Sequence, residues 1–509
     1  MTSTTPATES SHRGVLFSMC LALVLVVGTV SAINLALPDL AVDLGASNTD
    51  LTWIADSYTV ALAALVLPLG ALGDRVGRKR LLLIGSAVFG AASLGAALAG
   101  TTHTLILWRV LMGAGAAMIM PGTLSTITAA FPPEKRAKGV ATWSGFASAG
   151  AVLGLLVSGS LLERWGWNSI FFATSAAALV VGLCAWKLAP ETRDEEHVPF
   201  DVVGGLLLAI GVGGLVFAII EGSEKGFTHA MALGGFGCAL VGFVGYVVAG
   251  LRNDHPLLDP RLFALRGFRA GAITILVQFM AVFGFFFVGL QYLQLVLDYS
   301  PLRAAIALLP VAVVVVPIAQ LTPWLVERLG LKWVMAIGLA AMSAGMLLNT
   351  RLDVDSGYLP FLVGLLIAGL GIGLTSSTGT SAITGSLGRD RQGVASAMND
   401  TTREIGSAIG IAVMGSVYGS HYRDALPADN GQLPAQAVEA IRESAAGGIE
   451  VTRRLAAAGQ VDAAAQLGQV IRVAFIDGLT ASLTVIGVVL ALAAVAVLIR
   501  APRHLDDKT

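Results

Sequence analysis

Asp, Glu, Lys and Arg supply only 13% of the 509 residues, about half the share usual in soluble domains, and this shortage excludes an ordinary water-facing surface. A net charge of -1 leaves no basic field for nucleic acid. Cysteine is nearly absent. Cys20, Cys184 and Cys238 each lie inside an apolar run, which argues against a disulfide framework or a CxxC metal site, and they read as small buried residues. The chain also lacks a GxxxxGK(S/T) phosphate loop, an HExxH pair and a GxSxG elbow. Nothing therefore points to ATP hydrolysis, metal catalysis or a serine nucleophile. Residues 1–14 are rich in Ser and Thr but lack a basic n-region, a short apolar h-region and a small-residue cleavage site; they are expected to form a disordered cytoplasmic tail before a retained helix.

What the chain has instead is hydrocarbon, with 55% hydrophobic residues and 60 glycines. Apolar stretches long enough to cross a bilayer lie near 15–37, 52–71, 81–100, 105–130, 138–162 and 168–189, then near 201–220 and 229–250, then near 268–295, 303–325, 332–351, 357–382, 393–419 and 475–499. The expectation is an all-α membrane protein with fourteen transmembrane helices. Residues 15–189 and 268–509 would form two six-helix bundles, and 190–267 a linker carrying an inserted helix pair. Alternate loops carry the cations, at Arg75–Arg80, Lys135/Arg136/Lys138, Arg252/Arg261/Arg266, Arg328/Lys332, Arg389/Arg391 and Arg500/Arg503/Lys508, so those loops and both termini are placed in the cytoplasm. Some fifty extra residues at about 420–474, with Pro434 as a first-turn residue, are expected to form an outer helical hairpin too polar to span.

The orientation rests on Gly70–Arg80, where Asp74 and the cations Arg75, Arg78, Lys79 and Arg80 interrupt two apolar runs. The pattern recurs. Leu325–Gly338 aligns without gaps on Leu72–Gly85, setting Glu327, Arg328, Gly330 and Lys332 opposite Asp74, Arg75, Gly77 and Lys79, and Gly393-Val-Ala repeats Gly139-Val-Ala at an offset of about 254 residues. Two related halves around a shared site are a common plan for secondary transporters.

Ionisable residues inside apolar spans are costly and become functional candidates. Asp56 and Arg109 lie at similar depth in the second and fourth spans, close enough to meet. Asn399, Asp400, Arg403 and Glu404 fall in the thirteenth span, with the three charges on one helical face. One ion pair with a spare carboxylate suits reversible protonation; a fixed structural network is the alternative at both places. Expelling a monovalent cation against a hundredfold gradient costs about 2.7 kcal/mol, plus about 2.3 kcal/mol per 100 mV. One returning proton gains about 2.3 kcal/mol from the same voltage and about 1.4 kcal/mol per pH unit, so two titrating acids suit the task better than one. Asp56 and Asp400 are the first choices. Phe279, Phe283 and Phe286/Phe287 make an aromatic stripe, and Met118-Ile-Met120-Pro121 closes the fourth span. Either could meet a drug, although lipid contact is the simpler expectation for the aromatic stripe.

The Gly70–Arg80 turn resembles the loop 2–3 signature of the major facilitator superfamily, and Arg109 with Gly113 resembles its fourth-span motif. Asn34-Leu-Ala-Leu-Pro38, Trp53-Ile-Ala-Asp56-Ser-Tyr58 and Leu257–Phe263 are similar to the fourteen-helix drug:proton antiporters, nearest the quaternary-ammonium and multidrug pumps. That resemblance implies proton-driven export of hydrophobic and cationic drugs by alternating access, from a bacterial cytoplasmic membrane, with no cofactor beyond the proton gradient and no enzymatic step. It implies proton coupling at Asp56, Asp400 and Glu404, with Arg109 and Arg403 as charge partners. It assigns Gly70, Asp74, Arg75, Gly77 and Arg78 to a cytoplasmic gate that latches the halves. Asn34, Tyr58, Met120, Phe283, Phe287 and Asn399 are candidates for the substrate cavity. The expected partners are small-molecule substrates, protons and lipids, with the chain acting as a monomer. Thr29 stands where such pumps carry a first-span acid, Val315 where relatives can carry a tenth-span acid, and Ala151 and Leu155 depart from the fifth-span motif. Export of one endogenous metabolite, antibiotic or envelope lipid, or a non-transporting sensor or scaffold, are the competing readings.

Overall fold

The computed structural model describes residues 9–192, 201–253, 256–257, 259–387, 392–427 and 433–503. Arg389, Arg391, Lys508 and residues 1–8 of the expected tail lie outside the described residues, as do the side chains of Lys135, Arg136 and Lys138. No strand occurs among the described residues, because a bilayer leaves the backbone no water to bond and a helix satisfies its own amides. The first six helices are α1 (Glu9–Asp43), α2 (Asn48–Val76), α3 (Arg78–Ala97), α4 (Thr102–Ala130), α5 (Pro133–Trp165) and α6 (Asn168–Leu188). Next come α7 (Val202–Lys225) and α8 (Ala230–Arg252), then α9 (Arg266–Gln291), α10 (Pro301–Leu308), α11 (Pro310–Leu329), α12 (Leu331–Asn349) and α13 (Tyr358–Gly385). The chain ends with α14 (Gln392–Ala425), α15 (Ala435–Glu443), α16 (Ala445–Ala457) and α17 (Val461–Arg500).

Among the described residues, 12 helical stretches are long and apolar enough to cross a membrane. Two of them are composite: α9 continues through a π-helical turn to Val296, and α10 with α11 makes one stretch, Pro301–Leu329. Two further long helices, α5 with 33 residues and α14 with 34, pack among these, α5 on α1 and α14 on α9. Local chemistry sets the ends. Ser47 and Asp50 form a reciprocal capping box at the start of α2, and Thr101, Asp201, Ser300 and Ser444 each accept an amide of the following turn.

Helices α7 and α8 pack on each other, and α7 also touches α2 and α14, so this pair bridges the two helix sets. Val216 and Ile220 of α7 bury against Ala408 and Ala412 of α14 beside Trp53 and Val60 of α2. The expected hairpin takes a different form. Helix α14 runs on to Ala425, α15 and α16 form the polar part, and α17 begins at Val461 and continues unbroken into the apolar stretch. Pro434 caps α15 rather than starting it, and Gly447 and Gly448 lie within α16; Gly459, at φ 84°, does break the chain. Of the cysteines, Cys20 is buried, Cys184 is half-buried and Cys238 is exposed, so the expectation of burial fails for Cys238.

The hairpin lies at one face of the bundle, termed the hairpin face, and the Gly77 turn at the opposite, turn face. Among the described residues, both hydrogen bonds joining α1–α6 to α9–α17 lie near the hairpin face. Gln294 Nε2 donates to the Leu35 carbonyl (3.2 Å), and the Ser300 hydroxyl donates to Glu163.

Candidate functional site

The repeat predicted from the sequence is visible atom by atom at the turn face. Gly77 is the only residue between α2 and α3, at φ 122°, and Gly330 is the only residue between α11 and α12, at φ 86°. A side chain at either position would be strained, which explains why glycine stands at both. In each half the next amide bonds to the segment that ends that half. Arg78 N–H donates to the Thr192 carbonyl and Leu331 N–H to the Arg503 carbonyl, both at 2.9 Å. Asp74 Oδ1 accepts from Arg78 Nε at 2.7 Å, Glu191 accepts from the Lys79 amide at 3.2 Å, and Arg80 lies 3.7 Å from Glu191. Gly70 packs against Pro121. Among the described residues the partners of the Gly70–Arg80 turn lie in the first bundle or at Glu191 and Thr192 just after it, and none lies in the second bundle, so the turn is braced on its own side through Glu191, which sequence reasoning passed over.

In the first half, Gly113 lets α4 come against the backbone of Tyr58, where an added Cβ would collide with its carbonyl. That close approach brings Arg109 to α2. Its Nε donates to the Ile54 carbonyl (2.9 Å) and one terminal nitrogen to the Ala55 carbonyl (3.0 Å), with the guanidinium 4.9 Å from the Tyr58 ring centre. The expected pairing with Asp56 is not made. Both Asp56 oxygens are buried without a hydrogen-bond partner, and the residue is 0% exposed. Tyr58 donates to the Val26 carbonyl (3.2 Å), Asn34 donates to Val30 (3.1 Å) while its oxygen stays unpartnered, and Met120 is buried. Helix α4 does not close at Pro121 but runs on to Ala130.

The second half also uses glycines to draw two helices together, at a crossing whose counterpart in the repeat is α1 on α5 rather than α2 on α4. Gly406 and Gly410 of α14 sit against the carbonyls of Leu276 and Met280, drawing α14 onto α9. Arg403 Nη1 then lies 3.8 Å from Asp400 Oδ1, with side-chain exposures of 21% and 12%. The guanidinium is 4.6 Å from the Phe279 ring centre, and Phe279 stacks on Phe283 at 6.0 Å. Phe279 is thus occupied by Arg403, contrary to the lipid-facing expectation, and Phe287 is fully buried. Glu404 is half-buried, makes no ion pair within 4 Å among the described residues, and lies within electrostatic reach of Arg403 on its own helix and of Tyr58 in the other half. Asn399 accepts from Thr380 (3.0 Å), and Gln278 donates to Ser376 while its own oxygen is buried without a partner. Gln278 was missed in the sequence, although one amide inside an apolar run is a readable signal.

A cavity of about 1060 Å³ opens at the hairpin face, its walls including Asp50, Trp53, Phe217, Glu224, Glu439 and Glu443. Burial, and then the carboxylates of Glu439, Asp50 and Glu224, hold the Glu443 carboxyl above the usual range. None of the candidate residues named from the sequence lines this cavity.

The matching turns at Gly77 and Gly330, between helices long enough to span a bilayer, define a polytopic membrane protein with an internal repeat. The Major Facilitator Superfamily model matches residues 19–411, so the chain belongs to that superfamily and is a transporter rather than an enzyme. It is 34% identical over 463 residues to the multidrug efflux pump LfrA of Mycolicibacterium smegmatis, covering 91% of this chain and 90% of that protein. It is 35% identical over 392 residues to the methyl viologen resistance protein SmvA of Salmonella typhimurium, covering 76% and 78%. A tetracenomycin C resistance and export protein of Streptomyces glaucescens is 28% identical, covering 97% and 92%. Among solved structures, a bacterial homologue of the human lysosomal transporter Spinster, inward-facing and unoccupied, superposes with a TM-score of 0.68 at 16% identity over 97% of this chain and 98% of that one, a likeness of fold.

Proposed function

We propose that the chain exports hydrophobic and cationic compounds across a bacterial cytoplasmic membrane in exchange for protons. The observation that carries this reading is the α14 cluster, a long, partly exposed Asp400–Arg403 pair with Glu404 unpaired one turn further on. Charges this far inside an apolar helix are tolerated against protein or water and not against lipid tails, so this face lines the cleft between the halves. There the carboxylates of Asp400 and Glu404 meet water and exchange protons. Asp56 plays the complementary part. A carboxylate buried without a hydrogen-bond partner is costly to keep ionised, which supports Asp56 as a group that takes up and releases a proton as the halves rock. Arg109 holds α2 and α4 together around it.

The cations Arg75, Arg78, Lys79, Arg80, Arg328 and Lys332 at the turn face support a cytoplasmic location for that face and for both termini. The hydrogen bonds between halves near the hairpin face support an inward-facing reading of this conformation. Compounds enter from the cytoplasm, and the Gly70, Asp74, Arg75, Gly77 and Arg78 turn closes behind them. Asn34, Tyr58, Met120, Phe283, Phe287 and Asn399 supply cavity surface as the halves move, the proton gradient is the only energy source, and one chain suffices.

The names of the relatives support drug export, and a second reading has its own support: the tetracenomycin C exporter and the cephamycin export protein CmcT of Amycolatopsis lactamdurans, 31% identical over 407 residues, are each named for one antibiotic. Proteoliposomes with an imposed pH gradient separate the readings. Multidrug antiport moves ethidium and structurally unrelated cations; a dedicated exporter moves one compound and leaves ethidium behind.

A further inference from the structure

We propose that Arg403 is a resident cation, seated where the charged group of a cationic substrate binds, and that the substrate displaces it. This rests on the export reading and gives the α14 cluster its selectivity.

A planar organic cation entering a membrane protein needs two things, an anion and the face of an aromatic ring. Both occur together on this face of α14, and Arg403 has taken both. Its guanidinium lies 3.8 Å from Asp400 and 4.6 Å from the Phe279 ring centre, and that ring continues into a stack with Phe283. The hold is loose. The single ion pair is long and the side chain is 21% exposed; an unpartnered nitrogen does not set it apart, since Arg403 Nε and Arg109 Nη1 are both buried without one. Arg109 shows what a locked arginine looks like in the same fold: fully buried, with two backbone carbonyls at 2.9 and 3.0 Å. An arginine that satisfies a carboxylate and a ring without being fixed keeps the seat's charge balanced while no substrate is present. A cation exchanges with it at constant local charge. A neutral compound has no means of evicting it, so Arg403 sets a threshold that only cations or large apolar compounds binding elsewhere can pass.

The test measures equilibrium binding by the purified full-length protein of ethidium, a planar monovalent cation, and of Nile red, a neutral dye. Arg403→Gln empties the seat, and ethidium is expected to bind at least tenfold more tightly with Nile red unchanged. Arg403→Lys keeps the charge but stacks less well on Phe279, giving a gain of about threefold; if the Gln variant does not fold, this variant decides alone. Phe279→Leu separates the seat from a general charge effect. In the wild-type background both cations lose the ring and ethidium affinity stays within about twofold, whereas in the Arg403→Gln background it falls about tenfold. Unchanged or weaker ethidium binding in both Arg403 variants, an equal gain for Nile red, or the same Phe279 effect in both backgrounds overturns the proposal. Failure of the wild type to move ethidium under a pH gradient overturns the export reading instead, and leaves the binding comparison to judge the seat.

Discussion

Arg109 and Arg403 are each brought to a neighbouring helix by glycines that let two backbones touch, Arg109 at the α2–α4 crossing and Arg403 at the α9–α14 crossing, yet they are held in opposite ways. In the first half the guanidinium donates to two main-chain carbonyls and Asp56 is left buried without a hydrogen-bond partner. In the second half the guanidinium leans on a carboxylate and a ring, partly wet, with Glu404 unpaired nearby. Main-chain carbonyls cannot be titrated and do not rotate away, so the first arrangement is a brace. A carboxylate and a ring can each exchange partners, which suits the second to the moving part proposed for it. Similar residue types at two glycine-set crossings thus divide into a proposed anchor and a proposed actuator according to what the arginine donates to.

The largest effects come from breaking the glycine crossings beneath both clusters. Gly113→Val drives a side chain into the Tyr58 carbonyl, and Gly406→Val drives one into that of Leu276. No rotamer relieves a clash with backbone, so each costs at least about 3 kcal/mol, and monodisperse protein on size-exclusion chromatography should be lost in both. Next come the arginines, where the halves should part company. Arg109→Ala removes two charge-assisted bonds worth about 1.5–3 kcal/mol each and should lower thermal stability in detergent sharply. Arg403→Ala removes one long, partly wet pair and should cost about 1 kcal/mol or less. Equal losses would erase the distinction between anchor and actuator. Among the carboxylates, Asp56→Asn replaces a group with no hydrogen bonds and should leave stability within about 0.5 kcal/mol of wild type, while reducing ethidium efflux driven by a pH gradient by at least tenfold. The smallest effect is at the turn. Glu191→Gln loses an exposed contact to Arg80 worth about 1 kcal/mol at most, and a melting shift of more than a few degrees would mean that the brace at Gly77 carries more than its geometry indicates.

The fold was legible in the sequence because hydrocarbon imposes length and composition on every span, and because the Gly77 and Gly330 turns betray the repeat. The depth of that repeat was not legible. The matching bonds from Arg78 to Thr192 and from Leu331 to Arg503 run between main-chain atoms, and main-chain bonds leave no trace in residue types. Spacing placed Asp400, Arg403 and Glu404 on one face because i, i+3 and i+4 positions always share one. Spacing within a helix says nothing about the partner helix, so the choice of Ile54 and Ala55 over Asp56 by Arg109, and the capture of Phe279 by Arg403, had to be seen. The hairpin was misjudged for a related reason: α17 is amphipathic at its start and apolar later, and hydropathy alone marks only the later part as a helix.

The central claim is that carboxylates on α14 trade protons for exported cations. The direct measurement is the pH inside proteoliposomes, read with a trapped indicator, when ethidium is added on one side with no gradient present. Wild type should move protons opposite to ethidium, Asp400→Asn should reduce that movement by at least tenfold, and Asp400→Asn/Glu404→Gln should abolish it, with ethidium binding weakened because Asp400 is the anion of the seat. Proton movement at the wild-type rate in the double variant would contradict the account.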